Sequence, residues 1–221
     1  MKAKQNVVEA LARQIPSLPV GTVGVSTVTD PYQPLEAKLC LTRRCIAMLK
    51  SKGFPVSLQT KSDLILRDMD IITAEEFDLG ITLTTLNSSL ASRLQPRAST
   101  PDALINVVGE FADKGVPTWI FLGPIIPEIN DDLENIRGII KVAKKSNSRI
   151  LYDRLNIKPW VMESLRSFLE SQRAELPERI QLLLKRGSTY WLRLAVEIER
   201  LCRDGGVKCE PAFPDYSVTH F

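Results

Sequence analysis

Residues 100–127 read TPDALINVVGEFADKGVPTWIFLGPIIP, and this stretch decides the fold class. Thr100 stands where a helix N-cap belongs. Pro101 follows at the first helical position, where its fixed φ is already helical and its missing N–H is not needed, and Asp102 suits the positive helix end. Leu104, Val107, Val108 and Phe111 recur at the spacing of one buried helical face. Gly115 stops the helix. Thr118–Leu122 is then an apolar strand that opens into Gly123-Pro124-Ile125-Ile126-Pro127. A helix followed by an apolar, poorly alternating strand is half of a βα repeat whose strand is covered on both faces.

The alternation continues in both directions. Gly24–Val28 reads as a strand, and Glu36–Lys52 as one helix with Leu39, Cys45, Met48 and Leu49 on a face, stopped by Gly53. Val56–Thr60 is the next strand. Ser62 caps a short helix running to Ile72, and Leu79–Leu83 is the third strand. Beyond residue 127, Asn130 or Asp131 starts a helix that turns Leu133, Ile136, Ile140 and Ala143 inward, and Ile150–Leu155 is the fifth strand. Strand starts lie roughly 23 to 39 residues apart, as in βα units joined by right-handed crossovers. The expected fold is α/β, with about five parallel strands in a partial (β/α) barrel or open sheet and binding loops at the strands' C-terminal ends. After Pro159 the pattern becomes two amphipathic helices, Trp160–Leu176 and Gln181–Arg203. The second buries Trp191, Leu194, Ile198 and Leu201, stops at Gly205-Gly206, and leads into a short strand near Val207–Glu210. The domain expectation is a sheet portion over 1–158 and a helical extension over 159–221 packed on it.

Composition narrows the function classes. Hydrophobic content of 44% and charged content of 25% are ordinary for a globular chain. No apolar run reaches the roughly 18 residues needed to cross a bilayer. Met1-Lys2-Ala3-Lys4-Gln5 is not followed by an apolar signal core, so a cytoplasmic location is expected. The net charge is only +3, but residues 141–221 hold 15 Lys and Arg against 10 Asp and Glu. That basic third can meet nucleic acid, or it is simply a solvated pair of helices. Four cysteines, Cys40, Cys45, Cys202 and Cys209, do not suggest a disulfide framework, and Cys202 and Cys209 read as small hydrophobes. The one histidine, His220, sits beside the C-terminus, which excludes a His-rich zinc site or a Ser–His–Asp triad in the core.

Three strand ends collect polar residues. The first is Ser26-Thr27-Val28-Thr29-Asp30-Pro31-Tyr32-Gln33-Pro34, the second Thr60-Lys61-Ser62, and the third Thr84-Thr85 with Asn87 beyond. A lysine at a strand mouth is a compact donor for a carboxylate. Hydroxyls and amides suit a ribose or an amino group. A Gly-Pro turn lets backbone approach a ligand closely. Polar loop mouths are common, but three on one edge of a sheet point to a ligand site.

Several strings in this chain resemble the radical S-adenosylmethionine (SAM) proteins described as DNA repair photolyases, relatives of spore photoproduct lyase. They are Ser26 through Gln33, Thr42-Arg43-Arg44-Cys45, Thr60 through Leu64, Leu66-Arg67-Asp68, Thr84-Thr85-Leu86, Arg93-Leu94-Gln95-Pro96, Gly123 through Pro127 and Lys158-Pro159-Trp160. The resemblance spans nearly the whole chain, and Thr-Asp-Pro-Tyr-Gln-Pro is its most specific element. It implies a partial (β/α)6 barrel with a [4Fe–4S] cluster on a CxxxCxxC loop after the first strand. It also implies reductive cleavage of SAM to a 5′-deoxyadenosyl radical. By the same resemblance Ser26, Thr27 and Asp30 lie near the SAM amino end and Lys61 contacts its carboxylate. Thr84 lies near the ribose, and the loop holding Gly123 and Ile125 passes beside the adenine.

One departure is large. No CxxxCxxC occurs in the sequence. Cys40 and Cys45 follow the wrong strand and, on one helix, would point about 140° apart. The resemblance therefore implies that the first βα unit and its cluster loop are missing, and that this chain alone does not cleave SAM. A separate or upstream polypeptide would carry the cluster loop, and the open sheet edge would favour self-association. The alternative is a non-catalytic SAM-, nucleotide- or nucleic-acid-binding protein. A metal-independent enzyme built on Lys61 and Asp30 is a third, weaker reading, because a lysine base needs a dry pocket that sequence does not reveal.

Overall fold

The structure, a computed structural model, describes residues 4, 6–25, 29–185 and 187–213. Its elements in chain order are α1 (Val7–Gln14), β1 (Val23–Val25), α2 (Glu36–Leu39), α3 (Leu41–Ser51), β2 (Val56–Thr60), β3 (Phe77–Thr82), α4 (Ser88–Leu94) and α5 (Pro101–Asp113). These are followed by β4 (Thr118–Ile125), α6 (Leu133–Lys145), β5 (Arg149–Arg154), α7 (Pro159–Gln172), α8 (Leu176–Leu184), α9 (Tyr190–Gly205) and β6 (Cys209–Pro211). The strands form one six-stranded sheet in the order β1-β2-β3-β4-β5-β6. The expected α/β class with parallel strands is what the chain forms, the short strand near residue 209 being the sixth. Parallel registers include Val56↔Phe77 and Thr60↔Ile81 between β2 and β3, and Ile150↔Cys209 between β5 and β6. Five of the six β3 residues are buried, consistent with a strand covered on both faces. No helix among the described residues is long and apolar enough to cross a membrane.

The chain divides into two compact units, residues 1–82 with 103–119, and residues 83–102 with 120–221. In the first unit the α5 stripe is as expected: Leu104, Val107, Val108 and Phe111 are all buried. Gly115 takes a positive φ of 81°, closing the helix as only glycine does without strain. Trp119 lies flat against Gly80, so a Cβ there would sit 2.2 Å from the indole ring. The indole N–H donates to Asp78 at 3.0 Å, and Ser57 donates to the same carboxylate oxygen at 2.6 Å.

The expected continuous helix over Glu36–Lys52 is two helices. Cys40 between them adopts a left-handed φ of 51°. Cys40 and Cys45 therefore do not share one helix, and the 140° separation does not apply. The break is held from outside the helices. Arg67 donates to the Glu36 carbonyl at 2.9 Å and to the Cys40 sulfur at 3.6 Å, and pairs with the Glu36 carboxylate at 3.0 Å.

In the second unit, Ile136, Ile139, Ile140 and Ala143 are the buried face of α6, with Ile139 in the place expected for Leu133. The cap is Asp132, whose carboxylate accepts from the Asn135 N–H at 2.8 Å. Neither Asn130 nor Asp131 serves. The two expected C-terminal helices are three. Pro177 lies in the first turn of α8, where proline starts a helix, and Gly187 has a φ of 81°, which separates α8 from α9. Met162 and Leu169 of α7 pack with Leu176, Ile180 and Leu184 of α8 against Ile126 and Leu155.

Candidate functional site

The first unit builds its polar strand mouth around Asp30. Ser26 and Thr27 lie outside the described residues. The Asp30 carboxylate accepts from Tyr32 N–H at 2.8 Å and Thr60 hydroxyl at 2.7 Å on one oxygen, and from Lys61 N–H at 2.8 Å on the other. Asp30 thus latches the loop after β1 to the end of β2, and it fixes the backbone from which the Lys61 side chain leaves. Among the described residues the Lys61 ammonium has no ion-pair or hydrogen-bond partner. Asp30 and Lys61 adjoin through the backbone hydrogen bond from Lys61 N–H. The sequence did not show that the carboxylate is already occupied by backbone and hydroxyl donors.

Beside the latch lies a charged network that sequence reading recorded as separate strings. Asp68 is fully buried. It accepts from the Tyr32 hydroxyl at 3.0 Å, Arg43 at 3.0 Å and Arg67 at 2.8 Å. Arg43 also grips Asp70, holding that carboxyl down at about 2 through the hydrogen bonds. Burial, followed by the neighbouring Asp68 charge, drives the Tyr32 phenol well above its ordinary value, so it stays a donor. A buried carboxylate is tolerated only when paired and hydrogen-bonded in this way. These residues carry the resemblance, and here they act as scaffold for the Asp30 loop.

The second unit builds a different mouth. Thr84 and Thr85 are buried. The Thr84 hydroxyl accepts from Gln95 at 3.2 Å. Its carbonyl accepts from Asn130 at 3.0 Å and from Asn135 at 3.2 Å. Asn130 is fully buried, accepts from Ile126 N–H at 2.7 Å, and donates a second bond to the Pro124 carbonyl at 3.1 Å. Gly123 and Ile125, expected on a loop beyond the strand, are instead the end of β4, because the strand runs on to Ile125, and Asn130, expected as a helix cap, pins that strand end. Gly123 faces the Phe121 ring, where a Cβ would approach to 2.7 Å, and the Ile125 carbonyl accepts from Leu155 N–H at 2.9 Å.

A cleft of about 340 Å³ opens at the C-terminal end of β5, lined by Asp153, Asn156, Lys158, Leu184 and Phe213 among others. Burial pushes the Asp153 carboxyl up to about 6, against hydrogen bonding and charge from Arg154. The Arg154 guanidinium stands 6.0 Å over the Trp191 ring. A carboxylate at a strand end carries no signal in the sequence until the folded chain desolvates it.

No family model matches the chain. An uncharacterized protein of Methanocaldococcus jannaschii is 29% identical over 139 residues, covering 62% of this chain and 52% of the relative. One of Mycobacterium tuberculosis is 27% identical over 195 residues, covering 83% and 56%. The chain spans about half the length of the curated relatives it matches. Among solved structures, a cysteine-to-serine mutant of spore photoproduct lyase superposes with a TM-score of 0.65 at 10% identity, over 94% of this chain and 66% of that one. A radical SAM methyltransferase from Sphaerobacter thermophilus gives 0.57 at 16%, over 96% and 58%. SuiB of Streptococcus suis, bound to S-adenosylmethionine, gives 0.52 at 14%, over 80% and 41%. These likenesses fix the fold. The chain has the sheet that such enzymes have.

Four free cysteines are present. Among the described residues no three His, Cys, Asp or Glu side chains gather into a set that could hold a metal ion. The described donors therefore do not fit a [4Fe–4S] cluster, which takes thiolates from three or four cysteines.

Proposed function

We propose that this chain is a radical SAM-type protein whose first unit binds the amino-acid end of S-adenosylmethionine, with Lys61 as the carboxylate contact. The observation that supports this reading is the Asp30 latch, which fixes the Lys61 backbone while the ammonium remains without a described partner. A lysine whose backbone is fixed at an ordered strand end brings a compact positive charge within reach of a carboxylate. In this family the cofactor supplies a carbon-centred radical once an electron reaches it. The electron donor would be a cluster carried on a segment with cysteines at CxxxCxxC spacing, supplied from outside these 221 residues. A DNA photoproduct-type substrate belongs to the same proposal, as does contact between nucleic acid and the basic residues after 140.

The test is equilibrium titration of the chain with S-adenosylmethionine. Wild type is expected to bind, and Lys61→Ala to bind roughly 10- to 100-fold more weakly, the loss of one hydrogen bond between charged groups. A wild-type chain that shows no binding, or a Lys61→Ala chain that binds equally well, would overturn the assignment. Salt-sensitive binding to single-stranded DNA in the absence of SAM binding would favour the nucleic-acid alternative.

A further inference from the structure

The cleft at the end of β5 carries groups that neither the Lys61 mouth nor the Asn130 pin uses. It encloses about 340 Å³, and the residues that line it all belong to the second unit. The turn from β5 into α7 supplies its polar groups. Arg154 N–H donates to one Asp153 carboxylate oxygen at 2.8 Å, and Lys158 N–H donates to the Asn156 side-chain oxygen at 3.0 Å. The second bond closes a turn that leads into Pro159 at the start of α7. It also occupies the Asn156 oxygen, so the rest of that amide is a donor. Among the described residues neither the Asn156 amide nitrogen nor the Lys158 ammonium has a hydrogen-bond or ion-pair partner.

The rest of the lining is apolar. Leu155 and Leu184 are buried, Ile157 is partly buried and Phe213 is exposed. Apolar walls with a few convergent polar groups are the usual form of a small-molecule site. The charged groups of the lining are two cations, Arg154 and Lys158, and one carboxyl, Asp153. That balance favours a negatively charged ligand, and Asp153 is the group that opposes it. Desolvation holds the Asp153 carboxyl up at about 6, so uptake of a proton near that pH removes the opposing charge and creates an O–H donor.

We propose that this cleft binds a carboxylate carried on a hydrocarbon body, with Lys158 and the Asn156 amide meeting the carboxylate and Leu155, Leu184 and Phe213 meeting the hydrocarbon. A compact ammonium and a neutral amide donor suit the two oxygens of one carboxylate. Protonated Asp153 donates to the same group, so binding tightens as pH falls through 6. A phosphate dianion fits less well, because its second charge is left without a counterpart beside Asp153. Lys61 takes no part, since it belongs to the other unit.

The test is calorimetric titration of the full chain with phenylpropionate. Saturable binding is expected at about pH 6, roughly 10- to 100-fold tighter than that of neutral phenylpropanol, which lacks the charge-assisted hydrogen bonds. It should also be tighter than that of acetate, which lacks the hydrocarbon. Lys158→Ala should weaken binding roughly 10-fold. Lys144→Ala, which removes an exposed lysine of α6 outside the cleft, should leave it unchanged. From about pH 7.5 to about pH 5.5 wild type should tighten roughly 10-fold, and Asp153→Asn should show no such gain. The proposal fails if phenylpropionate does not bind, if acetate or phenylpropanol binds equally well, or if Lys158→Ala binds as wild type does. A pH dependence that survives in Asp153→Asn, or tighter binding of phenyl phosphate than of phenylpropionate, would also overturn it.

Discussion

At the scale of single residues, Asp153 makes a pH-dependent prediction. Its carboxyl titrates near 6 in the folded chain against 3.8 when solvated, because the folded surroundings desolvate the charge. The folded state therefore holds the proton more tightly than the unfolded one. The associated stability is fully present below about pH 4 and is lost as pH rises through 6. Asp153→Asn keeps an oxygen for the Arg154 N–H and removes the titration. The variant should match wild type at pH 4 and exceed it by about 1–3 kcal/mol at pH 7.5, read from urea denaturation at both pH values. Lys61 is the contrasting case. If it meets a ligand as proposed, Lys61→Ala should alter the SAM titration and leave the denaturation midpoint near wild type. Both side chains sit at strand ends. A lysine after an apolar strand is a local pattern, whereas the cleft at Asp153 also needs Leu184 and Phe213 from much later in the chain.

At the scale of elements, two positions hold neighbouring pieces together. Asn130, fully buried, satisfies Ile126 N–H and donates to the Thr84 and Pro124 carbonyls. Asn130→Ala should lower stability by about 2–4 kcal/mol, since Ile126 N–H and the Pro124 carbonyl lose their partner while Asn135 still serves Thr84. Thermal or chemical unfolding measures this. Gly80 on β3 leaves room for the Trp119 indole. Gly80→Ala places a methyl inside that ring and should destabilise by roughly 1–3 kcal/mol, with a change in near-ultraviolet circular dichroism as the indole is displaced. The β2 bounds matched the sequence reading, Val56–Thr60 in both, because an apolar run bounded by turn residues is sufficient there. The helix around Cys40 did not match, because the break depends on Arg67, which lies well beyond α3 in the chain.

At the scale of the whole molecule, the parallel sheet, open at β1 and β6, carries its polar mouths in two separately compact units. The described residues offer no set of thiolates for a cluster. Anaerobic iron and sulfide reconstitution of this chain by itself should therefore yield no 5′-deoxyadenosine from SAM. Adding a polypeptide that carries a CxxxCxxC segment of the family should restore its formation, measured by chromatography. Cleavage by the lone chain would refute the division of labour proposed here.

Local order along the chain was enough to establish α/β class, the strand positions and the α5 face, because hydrophobic period, caps and turn glycines act over a few residues. The Asp30 latch, the buried Asp68 network, the Asn130 pin and the Asp153 cleft needed tertiary structure. Each joins groups from separate turns or elements. Hydrogen bonding and desolvation depend on which atoms meet in space, and that meeting exists only once the sheet and helices have packed.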